Sequence, residues 1–468
     1  MNLLTALRFD QRVPDGSKPL DLCATAVAFT GAGGKTTAMF QLARQMLYDR
    51  RTHGAGCPAV LVSVTTHLAT QQLDLGDNHH IISTPEEAAA LSNQSLSGVV
   101  LLTGKQVGDD RVSGVDHLLL HQVYRKCQSS GRPLPMLIEA DGSRRLPLKA
   151  PAAHEPPVPP WVDLVVVVAG LSGLGRPLTA DWVHRPEIFS SLTGLKPGGQ
   201  IEIDHLERVL LHPLGGLKNI PTGCRRVALL NQADTPELQA AGMHLAKRLK
   251  TAYEQVLIAS LAPVSGTAGS IFAAVEPLAG IVLAAGGADR FGQPKQLLLW
   301  QGEPLVRRAA RIALEAGLEP VVVVTGAYSK EVRSTLTDLP VVLVDNPLWE
   351  AGQGTSVALG VKALNHRTGA AIFLLADQPN VPVTLLTSLA SRHEQTLAPV
   401  VAPLVSGQRS NPVLFDRQAF HDLAELTGDI GGRALFSRYK VEWLPWHDAS
   451  VLLDIDRPED YLGQVKGQ

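Results

Sequence analysis

The sequence predicts an α/β protein of two three-layer domains with mostly parallel sheets, on three observations. Short strand-like apolar runs alternate with amphipathic stretches along the whole chain. The series pauses at 262–278, "APVSGTAGSIFAAVEPL", and then restarts. The third observation is length: 468 residues exceed one compact core, since domains usually hold ~100 to 200 residues.

Composition narrows the function. With 45% hydrophobic and 18% charged residues, plus 42 Gly and 32 Pro, the chain is globular and loop-rich rather than disordered. A formal charge of -2 gives no cationic field, which speaks against nucleic acid or an anionic membrane surface as partner and for a small-molecule ligand. The longest apolar runs, such as "LVVVVAG" at 164–170, are far shorter than the ~20 residues a bilayer span needs. Cys23, Cys57, Cys127 and Cys224 lie far apart without CxxC, and "MNLLTALRFDQRVPDG" lacks the apolar core of a secretion signal. Both features predict a reducing, cytoplasmic setting.

In the first half, strands are expected at 25–31, 59–66, 98–104, 135–141, 163–170, 225–234 and 255–261. Amphipathic helices are expected near 35–50, 115–129 and 236–250, and "PAAHEPPVPP" (151–160) reads as a stiff loop because proline lacks the donor. In the second half the strands are 279–286, 320–326, 341–346, 371–379, 400–407 and 441–446. The expected division is 1–262, a linker 263–278, and 279–468. Each half reads as a Rossmann-like domain.

Ligands of open parallel sheets sit beyond the carboxyl ends of the strands. Leu283, Ala284, Ala285, Gly286 and Gly287 occupy that place in "LAAGGADRFGQPKQLL" (283–298), where small residues let a ligand approach main-chain N–H groups. Arg290 and Lys295 add the charge that a triphosphate requires. Asp377, after the strand "AIFLLA", projects toward the same rim and suits Mg²⁺. Asp454 or Asp456 supplies a second carboxylate, and alternation does not decide which. Gly352, Gly354 and Ser356 form either a second anion-binding turn or a helix cap.

These segments resemble the MobA-like nucleotidyltransferases, in particular the molybdenum cofactor cytidylyltransferases. The resemblance spans about 279–466 and includes "NPLWEAGQGTSVALG" (346–360), "LLADQP" (374–379), "SGQRSNPVLF" (406–415), "GDIGGRALF" (428–436) and "DIDRPEDY" (454–461). Phe291 stands where the family has methionine, and Ser410 where it has glycine. The resemblance implies CTP and molybdopterin-bound molybdenum as substrates, Mg²⁺ as cofactor, and Lys295, Arg290 and Asp377 as catalytic residues. It also implies Arg409 and Asn411 at the pterin substrate. "LAAG" in place of "LAGG" favours cytosine over guanine.

In the first half, "AVAFTGAGGKTTAMFQLARQM" (26–46) is a strand, a glycine turn and a helix. Gly31, Gly33, Gly34, Lys35, Thr36 and Thr37 make a phosphate loop, with Thr36 a magnesium ligand and ATP or GTP the expected nucleotide. The loop departs from GxxxxGK[ST] at Phe29. A dinucleotide site is excluded, since GxGxxG is incomplete and no acidic residue follows the second strand. Glu139 and Asp141, followed by Arg144, Arg145 and Lys149, fit a metal-phosphate rim or a surface ion network. With "VTTHL", "VHRPEIF" and "LLNQAD", this half resembles the YqeC-like accessory proteins of selenium-dependent hydroxylases over about 20–262. Gln232 replaces the lysine of an NKxD-like motif, and His67 and His184 read as structural histidines.

The resulting expectation is a cytoplasmic fusion. Its second half transfers CMP from CTP to molybdopterin, and its first half is an accessory domain serving an apo molybdenum hydroxylase. The open alternatives are a guanylyl- or sugar-phosphate nucleotidyltransferase, and a nonhydrolytic cofactor-binding or handover module in the first half.

Overall fold

The structure, a computed structural model, describes residues 1–9, 20–48, 57–91, 94–129, 131, 133–261, 269–287, 293–455, 457 and 459–461. It forms two compact units, one on Pro19–Val275 with the start of the chain and one on Glu276–Gln468.

The first unit is built on β1 (Ala26–Gly31), β2 (Ala59–Val64), β3 (Asn78–Ile81), β4 (Gly98–Thr103), β5 (Met136–Glu139), β6 (Leu164–Gly170), β7 (Arg225–Asn231), β8 (Gln255–Ser260) and β9 (Ser270–Val275). They form one sheet in the order β9-β8-β7-β6-β1-β5-β2-β4-β3. Every neighbouring pair is parallel except β8 with β9. Inner parallel strands are covered on both faces, which is why all seven residues of β6 are apolar or glycine and all are buried. The helix Lys35–Tyr48 buries Ala38, Met39, Leu42, Ala43 and Met46, the helical spacing that lays one stripe against the sheet.

All seven strands expected here occur, each starting within one residue of its expected position. The junction expected at 263–278 is corrected. Ser270–Val275 forms the edge strand β9, antiparallel to β8 with Ala274 opposite Leu257, and the division between units falls after Val275. Ile271, Ala273, Ala274 and Val275 are all buried, so the segment lacks the alternation that marks a half-exposed strand.

A second correction concerns Cys23 and Cys57, whose wide spacing pointed to a reducing setting. They are joined in a disulfide across 34 residues, with Cα atoms 5.8 Å apart. Cysteine usage therefore no longer argues for a reducing setting. Among the described residues, no helix is long and apolar enough to cross a membrane.

The second unit contains β10 (Leu278–Ala284), β11 (Val321–Thr325), β12 (Val342–Asp345), β13 (Ala370–Leu375), β14 (Val400–Val405), β15 (Gln408–Arg409), β16 (Val413–Asp416) and β17 (Val441–Trp446). Their order is β12-β11-β10-β13-β16-β14-β15, with β17 also pairing β14. β16 runs antiparallel to β13 and β14, while β10 to β13 are mutually parallel. All six expected strands are present. The chain builds β11 and β12 on one side of β10 and then crosses to β13 on the other. Such a reversal opens a crevice at the strand carboxyl ends. Val282, Val323, Ile372 and Val401 lie in one apolar layer, and Ile281, Val324, Phe373 and Ala402 in the other.

Candidate active site

The crevice beyond β10 and β13 gathers part of the expected constellation. Asp377 follows β13 by two residues, and its Oδ2 lies 2.5 Å from the Lys295 Nζ. Both side chains are partly exposed, at 26% for Lys295 and 19% for Asp377, so the pair is open to a ligand. Ile455 donates its N–H to the Asp377 carbonyl at 3.1 Å, which brings the "DID" segment to the same place. There Gln378 Nε2 donates to Asp454 Oδ1 at 2.5 Å. Arg290, Phe291 and Asp456 lie outside the described residues.

One oxygen of this group is unsatisfied. Asp377 Oδ1 is buried and, among the described residues, takes no hydrogen bond. A carboxylate oxygen left in this state beside a lysine fits a divalent cation. Among the described residues no cluster of three or more His, Cys, Asp or Glu collects. Magnesium does not require one, because it commonly takes one or two carboxylates with phosphate and water completing its shell.

The glycine turn shows what its small residues do. Among the described residues, a Cβ placed on Gly286 would meet nothing within 4 Å, so none of them requires a glycine here for packing. Ala285 differs. Its Cβ would lie 2.9 Å from one placed on Gly326, so its methyl fills the interior rather than a base pocket. The expected preference for cytosine therefore gains nothing from this methyl. Leu283 is half-buried and accepts from the Ala376 N–H at 3.2 Å.

Gln296, absent from the sequence reading, holds the turn. Its Nε2 donates to the Ala284 carbonyl at 3.2 Å and to the Gly286 carbonyl at 2.6 Å from a side chain only 3% exposed. We expect Gly286→Ala to leave the melting temperature within about 2 °C of wild type while raising KM for the nucleotide at least tenfold. Thermal unfolding and initial-rate titration check both halves of this statement.

Gly352 and Ser356, expected at the nucleotide, are engaged in packing instead. A Cβ on Gly352 would lie 2.4 Å from Asp429 N, and the Gly354 N–H already donates to the Gly428 carbonyl at 2.9 Å. Ser356 is 5% exposed and accepts from Asn346 Nδ2 at 2.9 Å. The turn 428–430 packs against this segment and takes the Gly354 amide, as a helix cap would. Arg409 is exposed on β15 and Asn411 half-buried beyond it. Ser410 is 4% exposed, its hydroxyl donating to the Asn411 carbonyl, so the serine fits where the family has glycine.

In the first unit the phosphate loop is more closed than its glycines suggest. Gly31, Gly33 and Gly34 have φ of 90°, 85° and 121°. A Cβ on Gly31 would fall 2.2 Å from the Val168 carbonyl oxygen, and one on Gly33 2.4 Å from Gly170 N. These two glycines thus serve close packing against β6. The amides of Gly31, Ala32 and Gly33 donate to Asp141 Oδ2, Val168 O and Leu146 O at 3.3, 2.9 and 3.1 Å. What is left partly exposed is the helix start at Thr36 and Thr37, with Lys35 buried beneath it, an arrangement that matches a shortened anion site.

Around this start lies a buried charge network. Lys35 Nζ donates to the Gly31 carbonyl at 2.6 Å and lies 3.6 Å from Glu139 and 3.5 Å from Asp141. Thr36 Oγ1 donates to Glu139 Oε2 at 2.7 Å. Lys149 Nζ lies 2.7 Å from Asp141 and 2.9 Å from Glu155, which Arg185 also binds at 2.5 Å. Burial raises the Glu155 carboxyl, but hydrogen bonds from Lys149 and Arg185 outweigh it and bring the pKa to about 2. Burial, with Arg185, Lys149 and Arg144 nearby, lowers His184 to about 4, so it stays neutral as a structural histidine.

Lys35 and Asp141 side chains are only 1% and 2% exposed. The expected surface ion network is therefore an interior one. Asp141 Oδ1 takes no hydrogen bond among the described residues, so this network also has an open acceptor. Asn231, unassigned in the sequence, ties the loop to β8 by donating to the Gly33 carbonyl at 2.7 Å and accepting from the Leu261 N–H at 3.0 Å. Gln232 accepts from Ser172 Oγ at 2.6 Å, a contact within the unit.

The second unit is an open α/β domain with a lysine–carboxylate pair beside a glycine turn. The first is a parallel α/β domain whose glycine loop leads into a helix. The MobA-like NTP transferase domain family matches residues 280–443, and the YqeC protein family matches residues 27–187. The chain belongs to the YqeC family in its first unit and to the MobA-like NTP transferases in its second.

It is 31% identical to the uncharacterized protein YqeC of Escherichia coli K12 over 228 residues, 48% of this chain and 83% of that protein. It is 32% identical to nicotine blue oxidoreductase of Paenarthrobacter nicotinovorans over 191 residues, 38% of this chain and 92% of that one. A probable molybdenum cofactor guanylyltransferase of Bacillus cereus Q1 is 32% identical over 202 residues, covering 40% and 96%.

Proposed function

We propose that the second unit transfers CMP from CTP to molybdopterin-bound molybdenum, releasing pyrophosphate. The observation that carries this reading is the Lys295–Asp377 pair at 2.5 Å beside Gly286, where a side chain would meet no atom of the described residues. An acceptor phosphate oxygen forms the new bond to the α-phosphorus of CTP, and the bond from that phosphorus to the bridging oxygen of pyrophosphate breaks. Lys295 stabilises the negative charge on the transferring phosphoryl group. Backbone near Gly286 seats the phosphates, and Gln296 keeps that backbone in place. Magnesium, held by Asp377 with Asp454 or Asp456, would neutralise further phosphate charge. Arg290 is assigned to the triphosphate on sequence grounds.

The likeness to a guanylyltransferase supports GTP as the second reading, and the interior position of the Ala285 methyl removes one argument against it. Pyrophosphate release measured with each of the four nucleoside triphosphates and molybdenum cofactor separates the two. CTP alone should be turned over, and exclusive use of GTP would overturn the cytidylyl assignment.

For the first unit we propose an accessory role in maturing a molybdenum hydroxylase, with ATP or GTP at Lys35 and Thr36. Magnesium there would use Thr36, Glu139 and Asp141. Phosphate release lost in Lys35→Ala supports hydrolysis, while nucleotide binding without turnover supports the handover module. Both substrates of the proposed transfer are intracellular, so this reading places the chain in the cytoplasm.

A further inference from the structure

The bond between Cys23 and Cys57 closes a ring that contains β1, the glycine loop and the helix Lys35–Tyr48, the whole segment that presents Lys35 and Thr36. Its two ends meet at the amino edge of the first sheet. Cys23 lies three residues before β1 and Cys57 two before β2, and β5 runs between those strands. At that edge β5 is held from both sides, the Met136 N–H donating to the Thr25 carbonyl at 3.1 Å and the Leu61 N–H to the Pro135 carbonyl at 2.9 Å. The Cys57 N–H donates to the Met46 carbonyl at 3.1 Å, which ties the same point to the end of the helix.

One covalent bond thus joins the entries of β1 and β2 across β5, beside the last turns of the helix. These are the elements that carry the candidate anion site. β1 ends at the glycine loop, the helix begins with Lys35 and Thr36, and β5 ends at Glu139, which accepts from Thr36 Oγ1.

The two sulfurs are not equally placed. Cys57 is 3% exposed, whereas Cys23 is partly exposed in a turn beside the exposed Asp21, whose carboxylate accepts from the Cys23 N–H at 2.9 Å. A thiolate opens a disulfide by attacking a sulfur it can reach, here that of Cys23. The other two cysteines are poor competitors. Cys127 and Cys224 are buried free thiols, and burial raises the first and pushes the second up to about 12, which keeps both from the reactive thiolate form.

We propose that Cys23–Cys57 is a thiol-exchange site for small thiols such as glutathione, and that its opening loosens the segment carrying the phosphate loop. The incoming thiolate forms a bond to Cys23 Sγ, the bond between the two cysteines breaks, and Cys57 leaves as a thiolate that takes up a proton. A second thiolate attacks the small-molecule sulfur now joined to Cys23, and Cys23 in turn leaves and takes up a proton. Two small thiols are thereby oxidised to one disulfide, and the protein disulfide is reduced to two thiols. The constraint lost on opening acts on the enclosed segment, whose local unfolding becomes easier. The proposal rests on the transfer reading only for the setting in which the chain meets such thiols, and the exchange itself needs neither CTP nor an acceptor.

The full chain, oxidised with glutathione disulfide and then titrated with reduced glutathione in the absence of denaturant, provides the test. Alkylation with peptide mass analysis and amide hydrogen exchange are read on the same samples. Cys23 should carry the mixed disulfide, and Cys23 and Cys57 should become alkylated together while Cys127 and Cys224 stay unlabelled. Amides of 26–48 should then exchange faster by about tenfold or more, with those of β10 in the second unit within about twofold of the oxidised chain. Cys23→Ser should show the same fast exchange without added thiol. A bond that opens only after unfolding in urea, a mixed disulfide on Cys57, or opening with unchanged exchange of 26–48 overturns the proposal. A chain that keeps both thiols free in glutathione disulfide also overturns it. Pyrophosphate release from CTP, measured separately, decides the transfer reading whatever the exchange result.

Discussion

Lys295→Ala is expected to lower kcat/KM for nucleotidyl transfer by about 10² to 10³, the cost of removing one preorganised donor from a developing phosphoryl charge. The residue is placed for this. Its Nζ lies 2.5 Å from Asp377, and its side chain is 26% exposed, so it reaches both a partner that orients it and the crevice. Lys295 also begins the short turn Lys295–Leu297, and Gln296 within that turn holds the glycine backbone. Stability should change little, because a partly exposed ion pair contributes ~1 kcal/mol or less. Initial-rate kinetics with thermal unfolding would separate the two effects, and a rate within threefold of wild type would remove Lys295 from the mechanism.

The largest effect on stability is expected in the first unit. Lys149 is 1% exposed at its side chain and satisfies Asp141, Glu155 and the Gly142 carbonyl, the last at 2.6 Å. Lys149→Met fills similar space but leaves two buried carboxylates facing each other without their shared cation. Breaking a buried pair in this way costs about 3 to 5 kcal/mol.

The pH dependence has a definite sign. Glu155 has a folded pKa of about 2, below its ordinary 4.5, so its stabilising contribution is complete above pH 4.5 and is lost as pH falls toward 2. The difference between wild type and variant should therefore shrink across that window. Urea unfolding at several pH values measures it, and a loss under 1 kcal/mol at pH 7 would contradict the buried network.

The sheets were legible because inner parallel strands are continuous apolar runs. "LVVVVAG" and "PVVVVTG" have no other plausible use in a chain of this composition. β9 was hidden because its buried residues Ile271 and Ala273–Val275 give no strict alternation in a segment that reads as a linker. The Cys23–Cys57 bond joins residues 34 apart with no motif between them, and only the folded chain brings their Cα atoms to 5.8 Å.

Of the charged residues named from the sequence, some come together in the structure, while several of the small ones are taken up in packing. Lys295 and Asp377 meet as the motifs imply. Gly31, Gly33 and Gly352 read as ligand cradles, yet each is required by main chain passing within 2.5 Å of where a Cβ would stand. A glycine in sequence does not show whether protein or ligand fills the space beside it. Gln296, Gln378 and Asn231 were missed because amide side chains that lock loops follow no periodic pattern.

We propose that Lys295 and Asp377 grip a nucleoside triphosphate for transfer of its nucleotide to a phosphate acceptor. Mass analysis of the acceptor after incubation with CTP, magnesium and molybdenum cofactor tests it most directly, with wild type and Asp377→Asn compared. Wild type should yield acceptor heavier by one CMP unit with matching pyrophosphate, and Asp377→Asn almost none. No nucleotide adduct with any of the four triphosphates, or equal adduct from both proteins, would contradict the account.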